Sequence, residues 1–265
     1  MTTNTSNSKL LTEQRHRKIL EIVQSKGIAN VDELITELGV SSMTLWRDIS
    51  TLDQAGKVRR IRGGVASLED PDLIEPRYKS KQIINVNKKK AIGRYAAANF
   101  IEDKDIIIME AGTTVGAMIN YIEHRNLTVI TNGLGNLEDL SLCLPDITVL
   151  SCGGMLRDVA YTFVGPQAEE FFNTIHATTI FLSASGLVFP QGITDPNLLE
   201  IQIKRAMVAS ASRAILLIDS TKFGISSLSP IVPLESFQIM VTDNEAPKED
   251  LDRIRDMGIQ VHIAN

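Results

Sequence analysis

Residues 40–64 read VSSMTLWRDISTLDQAGKVRRIRGG, and the reading of this stretch decides the N-terminal fold. Ser41 is a good helix N-cap, because its hydroxyl can accept a bond from an unpaired N–H of the first turn. Leu45, Ile49 and Leu52 follow at i, i+4 and i+7 and form one apolar stripe. Met43, Arg47 and Ser50 lie on the opposite face, with Thr44 and Trp46 on its flanks. Gly56 is expected to stop the helix. Lys57, Arg59, Arg60 and Arg62 then fall within six residues, and Gly63-Gly64 offers a two-residue hairpin turn. A helix with a polar, cationic outer face beside a basic hairpin is a way of gripping DNA, with the helix in the major groove and the hairpin on phosphates. Taken alone, the stretch would equally suit a solvated helix and a charged loop.

The flanking sequence favours DNA. Thr12 can cap a helix over residues 12–26, with Ile19, Ile22 and Val23 as its apolar face and Gly27 beyond its end. Asn30 followed by Glu33 resembles a capping box opening a second helix, whose apolar side is Leu34, Ile35 and Leu38 and whose end is Gly39. Only Gly39, Val40 and Ser41 separate it from the third helix, the turn length a helix-turn-helix needs. Three short helices and a basic hairpin make a winged helix-turn-helix over residues 1–66. The candidate DNA contacts are Ser42, Thr44, Trp46, Arg47 and Ser50 on the helix and Arg59, Arg60 and Arg62 on the wing.

Charge supports this division. The net charge of the 265 residues is −5, but residues 1–90 carry 16 Lys and Arg against 11 Asp and Glu, while the remainder carries 11 against 21. A basic end on an acidic body is a pattern of nucleic-acid-binding proteins. No apolar run reaches about 18 residues, so no membrane span is expected. The polar head, residues 1–8, lacks the features of a signal peptide. Cys143 and Cys152 stand nine apart, which fits free thiols in a reducing cytoplasm, and the four scattered histidines have no metal spacing. Neither metal nor cofactor is expected.

Residues 67–90 read as a linker: Glu69-Asp70-Pro71-Asp72 and Glu75-Pro76 favour extended backbone, and lysines at 79, 81 and 88–90 follow. Over 91–265 the pattern changes. Short apolar, β-branched runs at 106–109, 127–130, 147–150, 179–182, 214–218, 239–241 and 259–263 alternate with amphipathic segments at 113–124, 166–174, 196–212 and 248–257. This is the pattern of an α/β domain with a mostly parallel sheet covered on both faces. In such a sheet, ligands bind beyond the carboxyl ends of the strands. Those ends carry Glu110-Ala-Gly-Thr-Thr114, Thr131-Asn132-Gly133, Ser151-Cys-Gly-Gly154, Ser183-Ala-Ser-Gly186, Asp219-Ser-Thr-Lys-Phe-Gly224 and Thr242-Asp243. Gly112-Thr113-Thr114 opens a helix, where N–H groups and hydroxyls suit a phosphate or carboxylate. It is not a Walker A loop, and no GxGxxG is present, so no dinucleotide is implied. Lys204 and Lys222 are the cations placed nearest a bound anion.

Taken together, these motifs resemble the DeoR family of bacterial transcriptional repressors over nearly the whole chain. The carriers are Glu13-Gln-Arg15, Val40-Ser-x-x-Thr44-x-x-Arg47-Asp48, Gly56-x-x-x-Arg60-x-x-Gly63-Gly64, Ala111-Gly-Thr-Thr114, Thr131-Asn132, Gly153-Gly154, Gly165, Lys204-Arg-Ala-Met207, Asp219-Ser-Thr-Lys-Phe-Gly224 and Thr242-Asp243. The resemblance implies a repressor of a carbohydrate-utilisation operon that acts as a dimer or tetramer on operator DNA. It implies an effector domain related in fold to ribose-5-phosphate isomerase and coenzyme A transferases, released by a phosphorylated sugar. The effector residues so implied are Glu110, Gly112, Thr113, Thr114, Asn132, Gly153, Gly154, Lys204 and Lys222, with no catalytic residue. Two positions depart from the family pattern: Trp46 stands where an arginine is usual, and Glu110 where an aspartate is usual. Two alternatives stand beside this reading. One is a sugar-phosphate isomerase-like enzyme with an appended DNA-binding domain, using Glu110 or Asp219 as base. The other is an activator or dual regulator of the same fold.

Overall fold

The structure, a computed structural model, describes residues 12–26, 28–55, 57–61, 63–67, 75–122 and 126–265. The chain divides into two compact units, Met1–Ile84 and Asn85–Asn265.

The first unit contains α1 (Thr12–Lys26), β1 (Ile28–Asn30), α2 (Val31–Leu38), α3 (Ser42–Gln54), β2 (Val58–Ile61), β3 (Gly64–Ser67) and α4 (Tyr78–Ile83). The local signals do what their chemistry dictates. The Asn30 side chain accepts the Asp32 N–H at 3.0 Å, and Ser41 Oγ accepts the Thr44 N–H at 3.3 Å. Gly39 ends α2 at φ 63°, a left-handed conformation costly for other residues. The stripe Leu45, Ile49 and Leu52 is buried against Ile19, Val23, Leu34, Val58 and Val65, each fully buried side chain contributing about 1.5–3 kcal/mol.

Two details of the wing differ from expectation. Register pairs Ile61 with Gly64, so Gly64 belongs to β3 and not to the turn. The wing also has a third strand, β1, paired antiparallel with β3 in the order β1-β3-β2. Gly27, Gly56 and Arg62 lie outside the described residues.

The second unit runs α5 (Val86–Phe100), β4 (Ile106–Met109), α6 (Thr113–Gly116), β5 (Thr128–Thr131), α7 (Leu134–Leu140), β6 (Thr148–Ser151), β7 (Met155–Arg157), β8 (Thr162–Val164), α8 (Pro166–Asn173), β9 (Ala177–Leu182), β10 (Gly186–Val188), β11 (Gly192–Asp195), α9 (Leu198–Ala209), β12 (Ala211–Leu217), β13 (Ser229–Pro230), β14 (Ile239–Asp243), α10 (Lys248–Asp256) and β15 (Gln260–Ala264). Seven strands form one parallel sheet in the order β15-β14-β12-β9-β4-β5-β6. One face packs on Phe172, Ile203, Met207 and Ile254 of α8, α9 and α10; the other packs on Ile92, Ala96 and Val115 of α5 and α6. From β4 the chain moves outward to β5 and β6, then returns to place β9 on the other side of β4. The carboxyl ends of β4 and β9 therefore flank the topological switch point, where an open α/β sheet leaves a crevice.

All seven expected apolar runs are strands of this sheet, within a few residues at their ends. The segment 113–124 is not one helix: α6 ends at Gly116, and a 3-10 turn follows at Ile119–Tyr121. Within the stretch expected as linker, 78–83 form α4 and 86–90 open α5. Among the described residues no helix is long and apolar enough to cross a membrane.

Candidate functional site

The first unit presents α3 and the wing. Arg47 is exposed at the centre of the polar face of α3, and among the described residues its guanidinium has no partner. Ser42 is exposed and Ser50 half-buried. Thr44 is half-buried, and its hydroxyl lies 2.9 Å from that of Ser41, so it helps close the helix cap. Trp46 is half-buried beside the core, with the Arg60 guanidinium over its ring. Arg59 is exposed. Asp48, next to Arg47, faces inward and is only 3% exposed. Arg15 Nε and Nη2 donate to its two oxygens at 2.7 and 3.0 Å, and His16 Nε2 lies 3.2 Å from Oδ1. The hydrogen bond to Asp48 raises the Arg15 pKa against a smaller effect of burial. This buried pair ties α1 to α3, so the outward direction of Arg47 is set from behind.

In the second unit the β4 and β9 ends meet α9 in a buried charge cluster. Lys204 is 5% exposed, and its ammonium lies 2.8 Å from Asp195 Oδ2, 3.3 Å from Glu110 Oε1 and 3.2 Å from the Ser183 carbonyl. Burial opposes its charge, but Asp195, Glu110 and Glu200 more than offset that, and the lysine pKa is raised. The other Glu110 oxygen accepts the N–H groups of Gly112 at 2.9 Å and Ser183 at 3.2 Å. Glu110 thus ties the loop that leads into α6 to the end of β9, while the first turn of α6 has no side-chain cap among the described residues. Gly112 is required there, since a Cβ would lie 2.6 Å from Glu110 Oε2. Glu200, one turn before Lys204, accepts from Arg157 Nη1 at 2.5 Å and from the Thr162 hydroxyl. Burial raises its pKa, partly offset by Lys204, Thr162 and Arg157.

The remaining candidates are placed around this cluster. Asn132 is buried and its Oδ1 accepts the Ala111 N–H at 3.0 Å, which holds the loop after β4. Thr114 is buried and Thr113 half-buried. Gly153 and Gly154 lead into the β7–β8 hairpin; at Gly154 (φ 102°) a Cβ would meet the Val164 carbonyl at 2.8 Å. Burial pushes the neighbouring Cys152 thiol up to about 12, so it is a poor nucleophile at neutral pH. Lys222 is half-buried in the 3-10 turn Ser220–Lys222, and no partner engages its ammonium among the described residues. Beyond it, Gly224 N–H donates to Leu187 at 2.8 Å and Ser227 N–H to Thr194 Oγ1 at 3.0 Å. These bonds bring the loop after β12 to β10 and β11, the latter ending in Asp195.

On the other face of the sheet, a second polar cluster joins α5 to the ends of β12 and β14. Lys88 donates to Asp243 Oδ1 at 2.9 Å and to Ser220 Oγ at 2.6 Å, and Asn85 donates to Thr221 Oγ1 at 3.0 Å. Burial would raise the Asp243 pKa, but the Ser220 N–H and Lys88 hold it below the usual carboxylate range. Among the described residues no group of three or more His, Cys, Asp or Glu could hold a metal ion.

Residues 15–70 match the DeoR-like helix-turn-helix domain, and residues 84–244 match the DeoR C terminal sensor domain. The chain belongs to the DeoR family. It is 32% identical over 252 residues to the HTH-type transcriptional regulator YulB of Bacillus subtilis (strain 168), a match covering 95% of this chain and 96% of the relative. It is 30% identical to GolR of Listeria innocua, named an HTH-type transcriptional regulator, over 95% of this chain and 98% of the relative. A ribose 5 phosphate isomerase A from Neisseria gonorrhoeae aligns with 52% of this chain and 53% of its own at 13% identity and TM-score 0.38. This DeoR-family chain is a transcriptional regulator with a helix-turn-helix unit and a sensor domain. Sequence reasoning missed three members of the second unit's buried network, Asp195, Glu200 and Arg157, and in the first unit the role of Asp48 as the partner of Arg15. Asp48 alone left a signal, a charge next to the apolar stripe of α3, which demands a buried partner.

Proposed function

We propose that this DeoR-family regulator represses a carbohydrate-utilisation operon from the cytoplasm, and that a phosphorylated sugar releases it from operator DNA. The observation that carries the reading is the contrast between two lysines. Lys204 is buried and balanced by carboxylates, whereas the half-buried Lys222 ammonium has no partner among the described residues. A free cation beyond the carboxyl end of β12, among strand ends that carry carboxylates and hydroxyls, suits a ligand with one anionic end and several hydroxyls. In this reading Glu110, Gly112, Thr113, Thr114, Asn132, Gly153, Gly154, Lys204 and Lys222 surround the effector. Ser42, Thr44, Trp46, Arg47, Ser50, Arg59, Arg60 and Arg62 form the DNA-facing set, on residues 1–66 of a homodimer or homotetramer. The ligand acts by binding the DNA-released arrangement more tightly, since a ligand shifts only an equilibrium whose states it binds unequally. No catalytic role is assigned: both Glu110 oxygens are already engaged by Lys204, Gly112 and Ser183.

The test is an operator gel shift repeated with a panel of sugar phosphates and the corresponding free sugars. One sugar phosphate is expected to weaken DNA binding by about tenfold or more, with its free sugar inactive. No response to any phosphorylated sugar, or tighter binding in its presence, would overturn the reading. Lys222→Ala is expected to bind operator normally and to ignore the same sugar phosphate. Normal release of this variant would remove Lys222 from the effector site.

A further inference from the structure

The Arg60 guanidinium lies over the Trp46 ring and joins the wing to α3. The Arg60 Cζ lies 4.5 Å from the centroid of the indole ring. Trp46 is the chain's only tryptophan and packs at the edge of the first unit's core. Side chains alternate along a strand, so Arg60 shares a face of β2 with the buried Val58 and is directed toward α3. The Arg60 backbone N–H donates to Asp53 Oδ1, in the last turn of α3, at 3.0 Å. Arg60 is thus tied to α3 twice, by main chain through Asp53 and by side chain through Trp46. Arg59, on the other face of the strand, has no such hold among the described residues.

We infer that Trp46 is a positioning residue for DNA binding: it holds the Arg60 guanidinium ready for a backbone phosphate, and its own ring does not touch the duplex. A guanidinium held over a ring face by cation–π attraction forms no hydrogen bond to that ring and keeps N–H donors free for phosphate oxygens. Holding the long side chain in place before binding removes part of the ordering cost that a free arginine meets on the DNA. The indole face that could have lain on a sugar or a thymine methyl is covered by Arg60. The inference rests on the reading of α3 and the wing as the DNA-facing elements.

The test uses the full chain and a duplex selected by the wild-type protein from a random-core pool. Wild type, Arg60→Ala, Trp46→Phe and the double variant are titrated with that duplex over a series of salt concentrations. Arg60→Ala is expected to bind about tenfold more weakly, with the log–log salt slope reduced by about one. Trp46→Phe is expected to bind about two- to fivefold more weakly with the slope unchanged, because the arginine is still present. In the Arg60→Ala background, Trp46→Phe is expected to cost nothing further. An equal penalty in both backgrounds would overturn the inference, showing that the ring acts by itself through DNA or through the core. Arg60→Ala is an exposed substitution and gives an independent readout: the emission of the sole tryptophan should change in the free protein, and an unchanged spectrum would exclude the contact. If the wild-type protein selects no duplex, the DNA-facing reading falls and the inference with it.

Discussion

Lys204→Met is expected to destabilise the sensor domain by about 3–5 kcal/mol, the usual cost of removing one partner from a buried ion pair. Methionine keeps most of the volume and flexibility of lysine, so the variant isolates the charge. What it leaves behind is Asp195, Glu110 and Glu200, all at most 3% exposed, without the ammonium that balances them. Arg157 still reaches Glu200, but Asp195 and Glu110 lose their cation. For a unit of this size the loss corresponds to a melting point about 10 °C lower. The pH dependence gives the deficit a signature. Burial already raises the Glu200 pKa, and without the offset from Lys204 its folded-state value rises further above the unfolded one. Such a group stabilises the fold below the unfolded pKa, and that contribution is lost as pH rises through the folded value. The gap between variant and wild type should therefore narrow as pH falls toward the carboxylate range, and widen again above it. Glu110→Gln combined with Asp195→Asn should recover much of the loss at neutral pH, since neutral amides need no counter-ion. Denaturant titration checks the first figure. A difference below about 0.5 kcal/mol, the range of an ordinary surface change, would mean that water reaches and compensates the cluster.

The elements that sequence reasoning found and those it missed differ in one physical respect. Strands of a parallel sheet are buried on both faces and read as short continuous apolar runs, so Ile106–Met109 and Ile239–Asp243 stand out without any partner being known. The α3 stripe stands out for the same reason, because its period is carried by the residues themselves. Helix α5 does not. It opens with three consecutive lysines that read as surface, yet Lys89 is buried and Lys88 is spent on Asp243 and Glu245. Half of its buried positions are small (Gly93, Ala96 and Ala97, beside Ile92 and Phe100), which weakens the apolar contrast. The site divides in the same way. Residues that follow strands could be picked out by position, which found Glu110, Asn132 and Lys222. The partners that define what those residues do come from far along the chain: Arg157 meets Glu200 across 43 positions and Arg15 meets Asp48 across 33. No local period carries such pairings. Glu110 is the clearest case, since its position was legible but its function in tying the loop before α6 to the end of β9 depends on Ser183, 73 residues away.

Arg47→Ala is expected to cut operator discrimination by about ten- to a hundredfold while leaving the fold intact. Arg47 is exposed on α3, without a partner among the described residues, and lies opposite the buried Leu45, Ile49 and Leu52. Its removal breaks no ion pair in the first unit, and alanine is at least as good a helix former. Thermal stability should therefore stay within about 0.5 kcal/mol of wild type. On DNA the consequences are of another order. A guanidinium that reads a base edge in the major groove carries about 1–3 kcal/mol of discrimination, or about ten- to a hundredfold in affinity for the correct site. Non-specific binding rests on the other cations of the first unit and should persist, with a salt slope close to that of wild type. The neighbouring Asp48→Ala variant serves as contrast, because it strands Arg15 and His16 and should lower stability first and DNA binding only in consequence. Footprinting on the selected operator, alongside melting of both variants, separates the two causes. An unchanged footprint for Arg47→Ala would take Arg47 out of the recognition set. A reduced salt slope with discrimination retained would move it from base edge to phosphate.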